Sequence, residues 1–288
     1  MKKPSKTIRV VNFFVFFIFG FVTLFPLYDV IIGSLMSFPE YVRTPIRLFP
    51  REPTIEAYVS IFNDMDIITP FMNTLFVTVV GTTLSITVTS IAAYALSRRY
   101  LYGRRFVMLF VLFTMLFNGG LIPTYMVMLQ LGLINSLWVI ILLPLVNSFY
   151  LIIMRTYFAS IPDSLEESAK LDGANDFTIF FRIMLPMSKP IVATMVLFIS
   201  VDRWSDLFTG LVFITRSEYM VIQVFLYRML ARITDGAAGA HAGAFIATVA
   251  PQTQRMAAIV ITTIPILLVY PFLQKYFAKG VMLGSIKE

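Results

Sequence analysis

Residues 10–36 read VVNFFVFFIFGFVTLFPLYDVIIGSLM, with Asp29 the one charged residue among them. An α-helix crosses the ~30 Å hydrocarbon core of a bilayer with about 20 apolar residues, so this stretch is long enough to span. No face of it is polar, which makes lipid a better solvent for it than the core of a soluble domain. Lys2, Lys3, Lys6 and Arg9 precede it. A basic segment ahead of an apolar run also begins a secretory signal, but this run is too long and no small-residue cleavage site follows it. The stretch therefore predicts a retained first span that leaves a basic segment, residues 1–9, in the cytoplasm.

Working outward, further apolar runs lie near 70–97, 106–128, 136–158, 189–213 and 253–277. With the first they predict an all-α integral membrane protein, a single domain of six transmembrane helices over residues 10–288. Composition agrees: 58% of residues are hydrophobic and 14% charged, with a mean hydropathy of +0.82, too little charge for a soluble domain. The net charge of +7 belongs to short basic clusters that flank apolar runs, the pattern of membrane topology rather than of a nucleic-acid surface. With no Cys and one His, a thiolate or multi-histidine metal site is excluded. Allotting Lys and Arg to alternating sides puts fifteen on the N-terminal side and seven on the other, with Arg203 inside the fifth run. The positive-inside rule then places both termini in the cytoplasm of a multi-pass inner-membrane protein. Three long connections remain: residues 37–69 and 214–252 outside, the second containing His241, and 159–188 inside.

The inner connection carries the most specific pattern. Residues 160–177 read SIPDSLEESAKLDGANDF, followed at 182–190 by RIMLPMSKP. Pro162 suits a first helical turn, Ser164 with Glu167 has capping-box spacing, and Asp163, Glu166 and Glu167 favour the positive end of a helix dipole. Gly173 offers a left-handed stop. The segment predicts a helix of about ten residues, rigid enough to pass a push from a soluble partner to the bundle.

These residues resemble the cytoplasmic signature of ABC importer permeases: Glu-Ala-Ala, three residues, Gly, nine residues, Ile, one residue, Leu-Pro. Here stand Glu167-Ser168-Ala169, Gly173, Ile183 and Leu185-Pro186 at that spacing, and only Ser168 departs. Leu171-Asp172-Gly173-Ala174 and the tail Lys279–Ser285 resemble the sugar-permease branch similar to the maltose importer's G subunit, and within it the permeases of complex or acidic oligosaccharides, including the alginate type. The resemblance implies that 162–173 is a coupling helix docking on a separate ATPase dimer through Glu166, Glu167, Ser168, Ala169, Asp172 and Gly173. It also implies a second permease, an extracytoplasmic solute-binding protein and an oligosaccharide moved inward, with ATP and Mg bound only by the partner ATPase. The tail from Lys279 to Glu288 either reaches the ATPase dimer or is a free end. The chain has no Gly-x-x-x-x-Gly-Lys-Ser/Thr phosphate loop and no catalytic constellation, so no ATPase site of its own is expected, in keeping with the transport subunit that the resemblance implies.

Polar groups within apolar runs are costly and mark a path. Asp202, Arg203, Trp204 and Asp206 fall well inside the fifth run, with Arg203 and Asp206 spaced to pair on one helix face. They predict either a self-satisfied internal ion pair or a sugar site, with Trp204 stacking on a ring and Asp or Arg binding hydroxyls or a uronate carboxylate. Asn118 with Gly119 and Gly120, and Pro144 with Asn147, mark bends that either open polar groups to a cavity or notch the helices for packing. Asp29 is expected at the outer interface. A secondary transporter or channel for a polar solute is the alternative function.

Overall fold

The computed structural model describes residues 6–45, 47–64, 66–238 and 252–284. Among these the chain is helical, without a strand. It begins with α1 (Lys6–Ser34), the short α2 (Phe38–Arg43) and α3 (Glu56–Asp64), and then α4 (Ile68–Ser97). A bent pair follows, α5 (Arg104–Leu116) and α6 (Leu121–Gln130), then α7 (Leu137–Leu142) and α8 (Ser148–Ser160). The signature segment holds α9 (Asp163–Leu171), α10 (Asp176–Ile179), a π-helical turn Phe180–Met184 and α11 (Leu185–Met187). α12 (Lys189–Trp204), α13 (Phe208–Phe213), α14 (Ile222–Ala238) and α15 (Gln252–Gly284) complete the order. His241 lies outside the described residues, as do the last four residues of the tail.

Three helices are individually long and apolar enough to cross a membrane: residues 8–34, 68–97 and 252–269. Two bent pairs, 104–130 and 176–204, raise the count to five if each is one span. The six-span expectation differs at the fourth run. Residues 136–158 do not form one helix but two, of six and 13 residues, because Pro144 has no N–H to continue the first. The third run breaks at Phe117–Gly120 with a bend of 115°, where Gly120 takes φ +88°, a left-handed backbone that suits glycine. The run read as 189–213 also breaks, at Ser205–Leu207.

The chain divides into two compact units, Met1–Ile68 with Phe225–Ile264, and Thr69–Val224 with Pro265–Glu288. In the first, α1 is exposed along most of its length, as a lipid-facing helix should be. Its end is fastened to the 37–64 connection: Asp29 pairs with Arg47 at 3.2 Å, Arg47 covers the Tyr41 ring at 3.7 Å, and Ser34 meets the Tyr58 hydroxyl at 2.7 Å.

In the second unit two apolar clusters form. One gathers Tyr94 of α4, Met154 and Phe158 of α8, Ala169 of α9, Phe180 and Met184 of the π turn, and Met195 of α12. The other joins Val77 of α4, Val139–Ile141 of α7, and Phe213, Val221 and Val224. Between them α4 turns small polar side chains inward, Thr82, Ser85, Thr89 and Ser90, the residue type that lets helices approach closely in a bilayer. Gly210 shows how tight the second cluster is. A Cβ added there would stand 2.7 Å from a Val224 methyl and 2.8 Å from a Val221 methyl. Gly210→Ala should therefore destabilise by about 1–3 kcal/mol, read as a lower midpoint for thermal unfolding of the detergent-solubilised chain, with Val224→Ala restoring part of the loss.

Candidate functional site

Two polar constructions lie in the second unit. The first is built on the signature. α9 starts at Asp163, one residue before the expected cap, so Ser164 falls inside the first turn and the Ser164–Glu167 capping box does not form; Pro162 occupies the N-cap without a side-chain bond. The other end follows expectation closely. Gly173 has φ +83°, its N–H donates to the Lys170 carbonyl at 3.0 Å and the Ala174 N–H to the Ala169 carbonyl at 2.9 Å. This pair of bonds is a Schellman stop that needs a left-handed residue at Gly173.

Helical spacing puts Glu166, Ala169 and Lys170 on one side of α9. Glu166 was expected on a docking surface with Glu167 and Asp172, and the structure turns it inward instead, leaving it 5% exposed. Its carboxylate accepts from Arg98 Nη1 at 2.6 Å, from Tyr100 Oη at 2.9 Å and from Lys170 Nζ at 2.8 Å. Arg98, just past the end of α4, also donates to the Phe158 carbonyl of α8 at 2.9 Å and to Ser97 Oγ at 2.9 Å. One buried guanidinium thus joins α4, α8 and α9. Ala169 is buried with the same face, whereas Glu167, Ser168, Asp172 and Gly173 are exposed. So is Leu171, at 89%, an apolar side chain the sequence reading passed over, with Phe177 at 73% nearby.

Charge balance in this anchor has a direction. Burial works to raise the Glu166 pKa, but the hydrogen bonds from Lys170 and Tyr100 and the charges of Arg98 and Lys170 outweigh it and hold the carboxyl below the ordinary range. The hydrogen bond to Glu166 raises Lys170. Burial, then the bond to Glu166, raises Tyr100.

The second construction is a cavity of about 380 Å³ at the breaks between α7 and α8 and between α12 and α13, lined by Ser85, Asn147, Tyr150, Asp202, Arg203 and Asp206 among others. Arg203, 4% exposed, does not make the expected pair with Asp206. Its guanidinium donates to the Ile140 carbonyl, to the Pro144 carbonyl at 2.9 Å and to Ser85 Oγ at 2.8 Å. The reason lies in the break: the helical partner of the Ile140 carbonyl would be the N–H of residue 144, which is proline and has none. Arg203 supplies the missing donors. Asp206 instead accepts from the Thr209 N–H at 3.0 Å, and Asp202 accepts from Tyr150 Oη at 2.6 Å.

Trp204 does not present a stacking face. It is 4% exposed and packs edge-on against Phe71, with centroids 5.7 Å apart. Asn147 lines the cavity and caps α8, accepting from the Phe149 N–H at 2.9 Å. Asn118 lies elsewhere, exposed in the α5–α6 bend, where it accepts from the Gly120 N–H at 2.9 Å.

Comparison with known proteins supplies the family context for this geometry. The family described as "Binding-protein-dependent transport system inner membrane component" matches residues 2–283. A polygalacturonan/rhamnogalacturonan transport system permease protein of Bacillus subtilis is 44% identical over 94% of this chain and 96% of its own length. A trehalose/maltose transport system permease protein of Thermococcus litoralis is 26% identical over 92% of each. A chain of a bacterial ABC transporter involved in the import of the acidic polysaccharide alginate, 33% identical, superposes with a TM-score of 0.87 over 96% of this chain and 100% of that one.

Two outcomes follow from the geometry. Removing one partner of a buried ion pair leaves the other uncompensated, so Glu166→Gln should cost roughly 3–5 kcal/mol and speed hydrogen exchange across residues 161–180. Because the folded carboxyl is held below its unfolded value, its stabilising contribution is complete at neutral pH and is lost as pH falls through and below the usual carboxylate range; the variant should lose that pH dependence. Arg203→Lys keeps the charge but cannot reach three acceptors at once. It should lower the unfolding midpoint by the equivalent of about 1–3 kcal/mol, the cost of a buried carbonyl left unpaired.

Proposed function

The chain belongs to the binding-protein-dependent transport system inner membrane components, and on that basis we propose that it is the permease subunit of a carbohydrate ABC importer whose α9 takes the thrust of a separate ATPase. A family of binding-protein-dependent inner-membrane components supports this reading over the alternative of a self-contained secondary transporter or channel. The observation that carries the coupling role is the two-sidedness of α9. One face is fastened through Glu166 and Arg98 to α4 and α8. The opposite face offers Glu167, Asp172 and the almost fully exposed Leu171. An exposed apolar side chain ringed by acids is costly in water and suits a partner's cleft.

The fastening gives the push a route. α4 runs unbroken from Arg98 back to Ser85, about 20 Å of helix at 1.5 Å per residue, and Ser85 holds Arg203 at the cavity. Displacement of α9 therefore bears on the helix that lines the cavity, while the breaks at 143–147 and 205–207 provide hinges. We place the termini and residues 159–188 on the cytoplasmic side, from the distribution of Lys and Arg. A second permease completing the pore and an extracytoplasmic solute-binding protein delivering substrate complete the assembly.

For substrate we propose an oligosaccharide, of the acidic class by the company of relatives that move polygalacturonan or alginate. Asp202, Asp206, Tyr150 and Asn147 offer acceptors and donors to sugar hydroxyls. Arg203 is committed to carbonyls, so a uronate carboxylate would be met elsewhere along the path.

The test is co-purification from detergent-solubilised membranes followed by reconstitution with the captured subunits. The native chain should retain an ATPase whose hydrolysis rises with a loaded binding protein and whose liposomes accumulate uronate oligosaccharides. Gly173→Asp, which strains the left-handed stop, and Glu167→Lys, which reverses an exposed charge, should cut stimulated hydrolysis and uptake at least tenfold. Transport surviving both substitutions with no ATPase recovered would sink the reading.

A further inference from the structure

We propose that an open cavity between the α4–α5 connection and α8 binds the phosphate headgroup of an anionic phospholipid, one lipid per chain. The cavity measures about 710 Å³ and is lined by Arg99, Arg104, Arg105 and Arg155, with no carboxylate among its lining residues. Basic residues beside a span are an ordinary topological signal. Four guanidiniums converging on one hollow from the α4–α5 connection, the start of α5 and α8 go beyond it. Arg155 comes from the interior of α8. Its Nε donates to the Leu96 carbonyl at 3.3 Å, which leaves its two terminal nitrogens without a partner among the described residues.

The contrast with the next residue is informative. Arg98 is neutralised by Glu166 and approached by Asp163 at 3.7 Å, and Lys170 by Glu166 and Asp176. None of the four cavity arginines makes an ion pair with a described carboxylate. Asp163, Glu166 and Asp176 pair with Arg98 or Lys170, and the cavity's charge is left for a ligand. α5 also begins here, at Gly103 with no side-chain cap; the Arg104 N–H is taken by the Leu101 carbonyl at 3.3 Å, and the first-turn amides after it add donors of the right sign.

The choice of a lipid over a soluble anion rests on what lies beside the cavity. Met108 lines it, and Phe106, Leu109, Phe110 and Phe113 of α5, all more than half exposed, form a stripe at helical spacing that starts at the arginines. A phosphodiester held by the guanidiniums would lay its acyl chains along that stripe. Basic pockets between spans are suited to such headgroups. The site needs only the membrane location of the chain and is independent of the coupling reading, so a failure of one does not decide the other.

Lipid binding to the purified full chain in detergent can be followed by native mass spectrometry while titrating phosphatidylglycerol, phosphatidylcholine or inorganic phosphate. Phosphatidylglycerol should bind saturably at one per chain, and phosphatidylcholine and phosphate should not match it. The paired variants Arg104→Ala/Arg155→Ala and Arg99→Ala/Arg105→Ala should each weaken it about thirtyfold, the order expected from two charges facing an anionic headgroup. Arg99 and Arg105 are exposed, so the second pair reads the site even if the first impairs folding. Arg43→Ala/Arg51→Ala, which removes the same charge elsewhere, should change nothing. Equal binding of the two lipids, displacement by inorganic phosphate, loss in the Arg43/Arg51 control, or both cavity pairs within twofold of native would each overturn the proposal.

Discussion

The second unit depends on how the fourth apolar run pays for its proline. Inside a bilayer a backbone carbonyl has no water to turn to, and an interrupted helix leaves several unpaired. Pro144 removes the donor that the Ile140 carbonyl would use, and the chain opens into two helices around residues 143–147. Arg203, from the next span along the chain, fills the gap with three hydrogen bonds. A charged residue buried in a membrane protein is thereby explained without an opposing carboxylate at contact distance. Its charge is spread over carbonyl dipoles, and the aspartates beside it are left to cap α13 and to hold Tyr150. The cavity exists because the break exists, and its polar lining is the break's own repair.

A second guanidinium works at the far end of α4. Arg98 binds a carboxylate, a carbonyl and a hydroxyl from three elements, and around it Tyr94, Phe158 and Phe180 form an aromatic cluster with centroids 5.2–6.3 Å apart. Polar anchor and apolar cluster reinforce each other: the cluster excludes water, which strengthens the ion pair, and the ion pair offsets the cost of burying Arg98. α9 is consequently not a loose loop helix but a part of the second unit's core, with only its outer face available to a partner. The π turn that follows, Phe180–Met184, sits at the entrance to α12, a position where such turns commonly serve function.

Much of this was legible in the residues taken alone. The all-helical membrane class, the signature segment as a compact helix and the left-handed stop at Gly173 all follow from local rules. Proline and glycine announced the break in the third run and marked Pro144 with Asn147 as a bend. What escaped was the use to which polar side chains are put. Asp202, Arg203 and Asp206 read naturally as a set, since their spacing allows pairing on one helix, yet each turns to a different partner. Trp204, a stacking platform in one of the two readings of that cluster, is packed on Phe71. Glu166 and Glu167 are neighbours of the same chemistry, and nothing in their identity says that one anchors and the other faces out.

The sequence by itself determined the solvent, because a bilayer demands long apolar runs and any reader can count them, and it determined some of the stops and bends, at Gly173, Gly120 and Pro144, because glycine and proline act over one or two turns. The tertiary structure alone decided which carbonyls Arg203 satisfies, which acid Arg98 buries and which arginines have no carboxylate partner among the described residues. Those choices link residues 59 to 118 positions apart. They are set by which helix ends meet in space, a property of packing that no local spacing encodes.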